Sequence, residues 1–207
     1  MSNSIAIAGN IGVGKTTLTR LLFERYGWKT YYEPQAANPY ILDFYRDMQR
    51  WSFHSQVFFL TRRFQDHIAI QQSKEVCIQD RSIYEDAEIF AHNLFMRKQM
   101  PQRDYETYQN LYEAMAASIK RPGLVVYLKA NTWTLMTRIQ KRGRDYERSV
   151  DREYLGQLNI LYGRWIKKIS HDWNLLVVDT DNFDMHENTD WLEEVLEEIG
   201  KRVSLLN

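Results

Sequence analysis

The apolar run Ile5-Ala6-Ile7-Ala8 leads without a break into Gly9-Asn10-Ile11-Gly12-Val13-Gly14-Lys15-Thr16-Thr17, the pattern G-x-x-x-x-G-K-T. A strand, a glycine-rich turn and a helix opened by Lys-Thr leave few folds available. The glycines let the backbone curl so that its N–H groups point inward, and the helix N-terminus adds a favourable dipole for a phosphate. Lys15 is placed to reach β- and γ-phosphates and the Thr16 hydroxyl to ligate Mg²⁺. The apolar spacing of Leu18, Leu21 and Leu22 supports the helix that follows.

A buried strand of this kind needs neighbours, and four further β-rich runs provide them: 29–32, 76–79, 124–128 and 175–178. Helical patterns separate them, over 15–25, 51–73, 82–98, 104–120, 132–141, 151–171 and 187–203. The spacing predicts an α/β fold with five parallel strands and helices on both faces. With 207 residues, 44% of them apolar, one domain across 1–207 is expected. The segment 100–120, with Tyr105, Tyr108, Leu111, Tyr112 and Met115 among polar residues, reads as an amphipathic helix with a core face, or secondarily a dimer face.

Net charge is zero, from 27 basic and 27 acidic residues, so bulk electrostatics point to neither a nucleic acid nor a membrane. No run reaches membrane-spanning length. The first strand is expected within the first four residues, so no signal peptide is expected. The single cysteine, Cys77, excludes an intramolecular disulfide and reads as a buried strand residue in a reducing, cytoplasmic setting. His54, His67, His92, His171 and His186 show no zinc-ligand spacing.

In open α/β sheets ligands sit beyond the carboxyl ends of the strands. Those ends carry, in order, the glycine loop, Glu33-Pro34, Asp80-Arg81-Ser82 and, one helix after the fourth strand, Arg138 to Glu147. Taken singly, E-P reads as a turn, D-R-S as a helix cap, and arginines at a helix end as dipole complements. Taken together they converge on a bound triphosphate. The run Arg138-x-x-x-Arg142-Gly143-Arg144 continues past its helix as a lid would, over about 138–150. Guanidinium groups suit the spread charge of a transferring phosphoryl group.

At this point the chain resembles the deoxyribonucleoside kinase family, and among its members the bacterial deoxyadenosine and deoxyguanosine kinases most. The resemblance runs from Gly9 to about Phe183. It rests on GNIGVGKTT, Glu33-Pro34, Tyr45-x5-Trp51-Ser52-Phe53-x2-Gln56, Arg63, Asp80-Arg81-Ser82-x3-Asp86 and Arg142-Gly143-Arg144-x2-Glu147. It implies a P-loop kinase fold with an Arg-rich lid, ATP and Mg²⁺ as cofactors, and a homodimer. Glu33 would be the base for the nucleoside 5′-hydroxyl and Arg81 would hold both. Tyr45 and Glu147 would take the sugar 3′-hydroxyl, Gln56, Arg63 and Asp86 the base edge, and Phe90 the base face. Lys15, Arg138, Arg142 and Arg144 would supply positive charge, and Thr16 and Asp80 would hold the metal. The adenine of ATP would lie near 179–183, by Asp181 and Phe183. Two departures stand out: Asp80 in place of the Glu usual in animal relatives, and Asn38 where several of them carry Trp.

The acceptor trio suits adenine, guanine or cytosine better than thymine, because an ionised Asp86 accepts hydrogen bonds and Arg63 donates them. Deoxyadenosine is the expected substrate, with deoxyguanosine or deoxycytidine next. Alternatives are a thymidylate-kinase-type nucleoside monophosphate kinase and a catalytically silent structural relative. The Tyr45–Gln56 and D-R-S-x3-D blocks argue against the first, and intact Lys15, Glu33 and Arg81 against the second. A GTPase switch would need an N-K-x-D element, which the sequence lacks.

Overall fold

A computed structural model describes residues 3–33, 37–181 and 189–206, with the backbone alone for 148 and 149. Five strands, β1 (Ser4–Gly9), β2 (Lys29–Tyr31), β3 (Cys77–Asp80), β4 (Leu124–Lys129) and β5 (Leu175–Asp179), form one sheet in the order β2-β3-β1-β4-β5. Every pairing is parallel, as expected of Val- and Ile-rich strands joined through helices. All six residues of β1 are buried. Ile5, Ile7, Ile78, Leu124 and Val126 are wholly excluded from water, each stabilising the fold by about 1.5–3 kcal/mol. Registers Ile7↔Asp80 and Gly9↔Leu128 bring the carboxyl ends of the three central strands to the same edge of the sheet, β3 stopping slightly short of the other two. The charged residues that follow those strands therefore open onto one edge.

The helices are α1 (Lys15–Tyr26), α2 (Ile41–Arg46), α3 (Met48–Gln72), α4 (Ile83–Glu85), α5 (His92–Met96), α6 (Gln102–Ala116), α7 (Thr132–Arg142), α8 (Arg152–Ile169) and α9 (Thr189–Ser204). Gly27 ends α1 in the left-handed conformation, its N–H donating to the Phe23 carbonyl. Three expectations need correction. The six-residue α2 has no counterpart in the sequence reading, because so short a run carries no periodic signal. α3 starts three residues early, where the Asp47 carboxylate accepts the Arg50 N–H and caps it. The helix expected over 82–98 is interrupted by a π-helical stretch, Asp86–Ala91, a feature that clusters at functional sites. On α6, Tyr108 is fully buried and Tyr105, Leu111, Tyr112 and Met115 pack partly buried against the core, so the apolar stripe is a core face.

Candidate active site

The glycine loop turns back on itself because Gly9, Gly12 and Gly14 take φ of 146°, 82° and 107°. A Cβ at Gly9 would lie 2.6 Å from the Leu128 carbonyl oxygen, so β4 and the loop can pass only if that position is bare. Asn10, buried, holds the curl. Its side-chain oxygen accepts the Ile11 N–H at 2.7 Å, and its amide donates to the Leu155 carbonyl (3.0 Å) and Asn159 Oδ1 (2.8 Å). Ile11 and Val13 turn into the core, leaving the loop's main chain to face the cleft. Lys15 Nζ donates to the Asn10 carbonyl at 3.0 Å. Burial first, and then the charge of Arg81, lower its ammonium to about 8.

Behind this loop stands Asp80, at the end of β3 and buried. Its Oδ2 accepts the Thr16 hydroxyl at 2.6 Å, while Oδ1 is buried without a partner. Because the Thr16 proton is engaged with the carboxylate, the hydroxyl lone pairs remain available. A hydroxyl beside a carboxylate is the hard-oxygen set suited to Mg²⁺, which relies on substrate phosphates and waters for its remaining ligands. No group of three or more His, Cys, Asp or Glu capable of holding a metal occurs among the described residues.

The acceptor side is an ion-pair network. Arg63, on α3 and buried, donates Nη2 to Glu33 Oε1 and Nη1 to Asp86 Oδ1, both at 2.5 Å. Arg81 Nη1 reaches the same Glu33 oxygen at 3.2 Å. Burial pushes the Glu33 carboxyl up, but Arg81, Arg63, Lys15 and Arg144 together outweigh it and hold the group at about 2. At Asp86 the balance reverses: burial exceeds the pull of Arg63 and raises it to about 6. Arg81, left-handed at φ 72°, lays its guanidinium over the Phe90 ring, 4.1 Å from the centroid. Gln56 lies buried seven residues before Arg63 on α3, as the spacing predicts. Gln56 Oε1, Arg63 Nε and Asp86 Oδ2 are buried without partners. These are unfilled valences in a polar pocket.

The segment after α7 folds into a 3₁₀ turn, Asp145–Ser149. Buried Glu147 accepts Arg142 Nη2 at 2.5 Å and Nε at 3.2 Å, and Arg144 Nη1 at 3.5 Å. Tyr45 stacks on Tyr146, 5.8 Å between centroids, and burial, Tyr154 and Glu147 push its phenol up. Arg138 is engaged with main chain and hydroxyl: it donates to the Val13 carbonyl (3.3 Å), to Thr180 Oγ1 (3.0 Å) and to the Thr180 carbonyl (2.6 Å). It thus ties the phosphate loop to the segment after β5. Asp181 accepts the Asn131 N–H at 2.7 Å, just before α7. Pro34, His186 and Phe183, the residue expected at the ATP adenine, lie outside the described residues.

The structure thus joins Lys15, Glu33, Arg63, Arg81, Asp86 and Phe90 in one cleft, with Tyr45, Arg142, Arg144 and Glu147 grouped about the 3₁₀ turn that follows α7. Sequence reasoning missed Glu85 and Tyr162. Both touch the first glycine of the loop: the Gly9 N–H donates to Glu85 Oε1 at 3.1 Å, and Tyr162 Oη lies 2.8 Å from the Gly9 oxygen. A signal existed in Ser82-x-x-Glu85, which matches a capping box and forms one.

Residues 5–204 match the deoxynucleoside kinase family model. A deoxyadenosine/deoxycytidine kinase of Bacillus subtilis (strain 168) is 36% identical over 198 residues, covering 95% of this chain and 91% of the relative. A deoxyguanosine kinase of the same organism is 31% identical, covering 92% and 93%. The deoxyadenosine kinase from M. mycoides with bound dATP superposes with a TM-score of 0.83 at 30% identity, over 95% of this chain and 99% of that one. A structure of that kinase with the products dCMP and a flexible dCDP gives 0.85 at 29%, over 96% and 99%. The sheet order, the phosphate loop and these likenesses agree: the chain has the P-loop kinase fold and belongs to the deoxynucleoside kinase family, whose members are ATP-dependent kinases.

Proposed function

We propose that this kinase transfers the γ-phosphoryl group of ATP to the 5′-hydroxyl of deoxyadenosine. The observation that favours an amine-bearing base, as in deoxyadenosine, over thymine is the pair of buried, unpartnered acceptors Gln56 Oε1 and Asp86 Oδ2. An exocyclic amine supplies donors to acceptors of this kind, whereas thymine has one ring N–H and no amine. Relatives named for deoxyadenosine, deoxycytidine and deoxyguanosine are consistent with an amine-bearing base.

In the proposed reaction the 5′-oxygen attacks the γ-phosphorus as the bond to the β-bridging oxygen breaks. ADP leaves, and the hydroxyl proton passes to Glu33. A carboxylate held at about 2 is a weak base, which suits a loose transition state in which the hydroxyl becomes acidic only as transfer proceeds. Arg81 orients both Glu33 and the hydroxyl, and Phe90 packs on the base. Tyr45 and Glu147 hold the 3′-hydroxyl. Residues 9–17 cradle the phosphates. Lys15, Arg142 and Arg144 neutralise the γ-phosphoryl charge, while Arg138 holds the loop that does so. Thr16 and Asp80 would hold Mg²⁺, whose contribution is charge neutralisation at the phosphates. Asp181, which follows β5, is assigned to the ATP adenine, as the resemblance also assigns Phe183.

Steady-state kinetics with the four deoxynucleosides at fixed Mg-ATP test the assignment. Deoxyadenosine is expected to give the highest kcat/KM, and thymidine as best substrate would overturn the base reading. We propose further that two copies pair through α5 and α8, packed neighbours on which Met96 and Ile160 stand 63% and 58% exposed. A monomer mass in sedimentation equilibrium rejects that pairing. A cytoplasmic setting suits the buried free thiol of Cys77, and no helix among the described residues is long and apolar enough to cross a membrane.

A further inference from the structure

Glu85 is fully buried, touches no open part of the cleft, and still sits between its two halves. Oε1 accepts the Gly9 N–H at 3.1 Å and lies 2.8 Å from the Tyr162 hydroxyl. Oε2 accepts the Ser82 N–H at 2.9 Å and the Ser82 hydroxyl at 3.3 Å. Arg81 Nε stands 4.0 Å from Oε1, and Arg81 Nη2 donates to the Gly9 carbonyl at 3.4 Å. Gly9 is therefore gripped at its N–H by Glu85 and at its oxygen by Arg81, while Glu85 also fixes the residue after Arg81.

That grip bears on a strained position. A non-glycine residue at positive φ persists only where its surroundings over-determine it, at a cost of about 1–3 kcal/mol. Arg81 is such a residue, and the bonds from Glu85 to the Ser82 N–H and hydroxyl are among the contacts that hold its backbone. Burial and then the Glu85 charge push the Tyr162 phenol well up, so it stays a donor. Tyr162 has one proton and two acceptors at 2.8 Å, the Gly9 oxygen and Glu85 Oε1. The ionised acceptor forms the stronger bond.

We propose that Glu85, seconded by Tyr162, is a positioning residue for phosphoryl transfer: it locks the first glycine of the donor loop to the acceptor-side arginine, making one rigid unit of the two. This rests on the kinase reading above. Every hydrogen-bonding partner of the carboxylate is a donor, so an amide cannot replace it. Whichever way a glutamine turns, its NH₂ faces the Gly9 N–H or the Ser82 N–H and leaves that donor unpaired. The fault falls at the junction between the bound substrates, where a misplacement of about 1 Å costs on the order of 10²-fold in rate.

Steady-state kinetics of Glu85→Gln, Tyr162→Phe and the double variant, each beside wild type on its best deoxynucleoside, test the idea. Wild type without turnover would sink the kinase reading and not this one. Folding is checked by circular dichroism. Folded Glu85→Gln is expected to lose at least about tenfold in kcat, with both KM values within about threefold. Tyr162→Phe keeps the packed ring and shows the same split with a smaller loss. The double variant is no slower than Glu85→Gln by itself, because the phenol acts through that carboxylate. The proposal is overturned if folded Glu85→Gln keeps kcat within about threefold of wild type, if its loss lies in KM, or if the two single losses multiply. Should Glu85→Gln fail to fold, Tyr162→Phe decides, and an unchanged kcat overturns the proposal.

Discussion

Replacing Glu33 by glutamine removes the charge shared by Arg63 and Arg81 while keeping nearly the same shape. Its carboxyl is held at about 2 against an ordinary 4.5. At about 1.4 kcal/mol for each tenfold in the proton equilibrium, the ionised form favours the folded state by about 3 kcal/mol at pH 7. The side chain is 10% exposed, so solvent screening takes little of this. The pH dependence has a definite sign. A depressed carboxyl stabilises fully above its unfolded value, and the benefit is lost as pH falls from 4.5 toward 2. It shrinks to about 1.5 kcal/mol near pH 3. Urea unfolding followed by circular dichroism reads the difference: at pH 7 the midpoint of Glu33→Gln is expected to drop by about 1 M or more, and at pH 3 by about half as much. Turnover falls by at least about 10²-fold, since an amide accepts no proton. An unchanged midpoint at pH 7, or a gap of the same size at both pH values, refutes the electrostatic clamp. Near-normal turnover takes Glu33 out of the mechanism.

Asp86 has the opposite sign. Raised to about 6 from 3.8, its carboxyl costs stability as pH rises through that interval, and on the proposed function the protonated form below about 6 loses acceptor capacity toward the base. The kcat/KM for the deoxynucleoside is therefore expected to fall about tenfold per pH unit below about 6, with a smaller effect on kcat at saturation; a flat profile from pH 7 to 5 contradicts it. At Gly12 a Cβ would meet Ile139 Cγ1 at 2.8 Å and the Leu135 carbonyl oxygen at 3.1 Å, at φ 82°. Gly12→Ala should cost about 3 kcal/mol from left-handed strain and overpacking, a fall of about 6–12 °C in Tm. A Tm within about 2 °C of wild type would show that the loop relaxes freely.

The sheet was legible because a strand buried on both faces must be apolar throughout, and Ile5–Ala8 and Leu124–Leu128 are; Leu175–Val178 is equally apolar, though it forms the sheet edge with Val177 half exposed. The acceptor side was legible where spacing and chemistry coincide: Gln56 and Arg63 share a helix face at seven residues. Asp86 and Phe90 are four apart, a spacing that fits an α-helix and a π-helix alike, so the π-helical stretch left no mark in the pattern. Pairing was harder to read than position. Arg138 carries the same charge as Arg142 and lies one helical turn earlier, yet it bonds carbonyls that only the folded chain presents. Glu85 was missed because its capping box satisfies local geometry, and nothing local tells that its other oxygen reaches Gly9, 76 residues away.

The two halves of the cleft differ in what a substrate would have to displace. On the acceptor side, Arg63 keeps Glu33 and Asp86 on its Nη atoms, and the open valences include Arg63 Nε, Asp86 Oδ2 and Gln56 Oε1. A base that bonds those atoms leaves the ion pairs intact. Buried polar atoms without partners cost about 1–3 kcal/mol each, a penalty that a base of matching donors and acceptors relieves. On the donor side, Arg142 and Arg144 both lie on Glu147. If those arginines turn to the γ-phosphate, they must leave a buried carboxylate, which then needs another donor. On the proposed function the sugar 3′-hydroxyl is that donor. Specificity for the base then resides in a preformed pocket, whereas recognition of the sugar is tied to movement of lid arginines toward the phosphates.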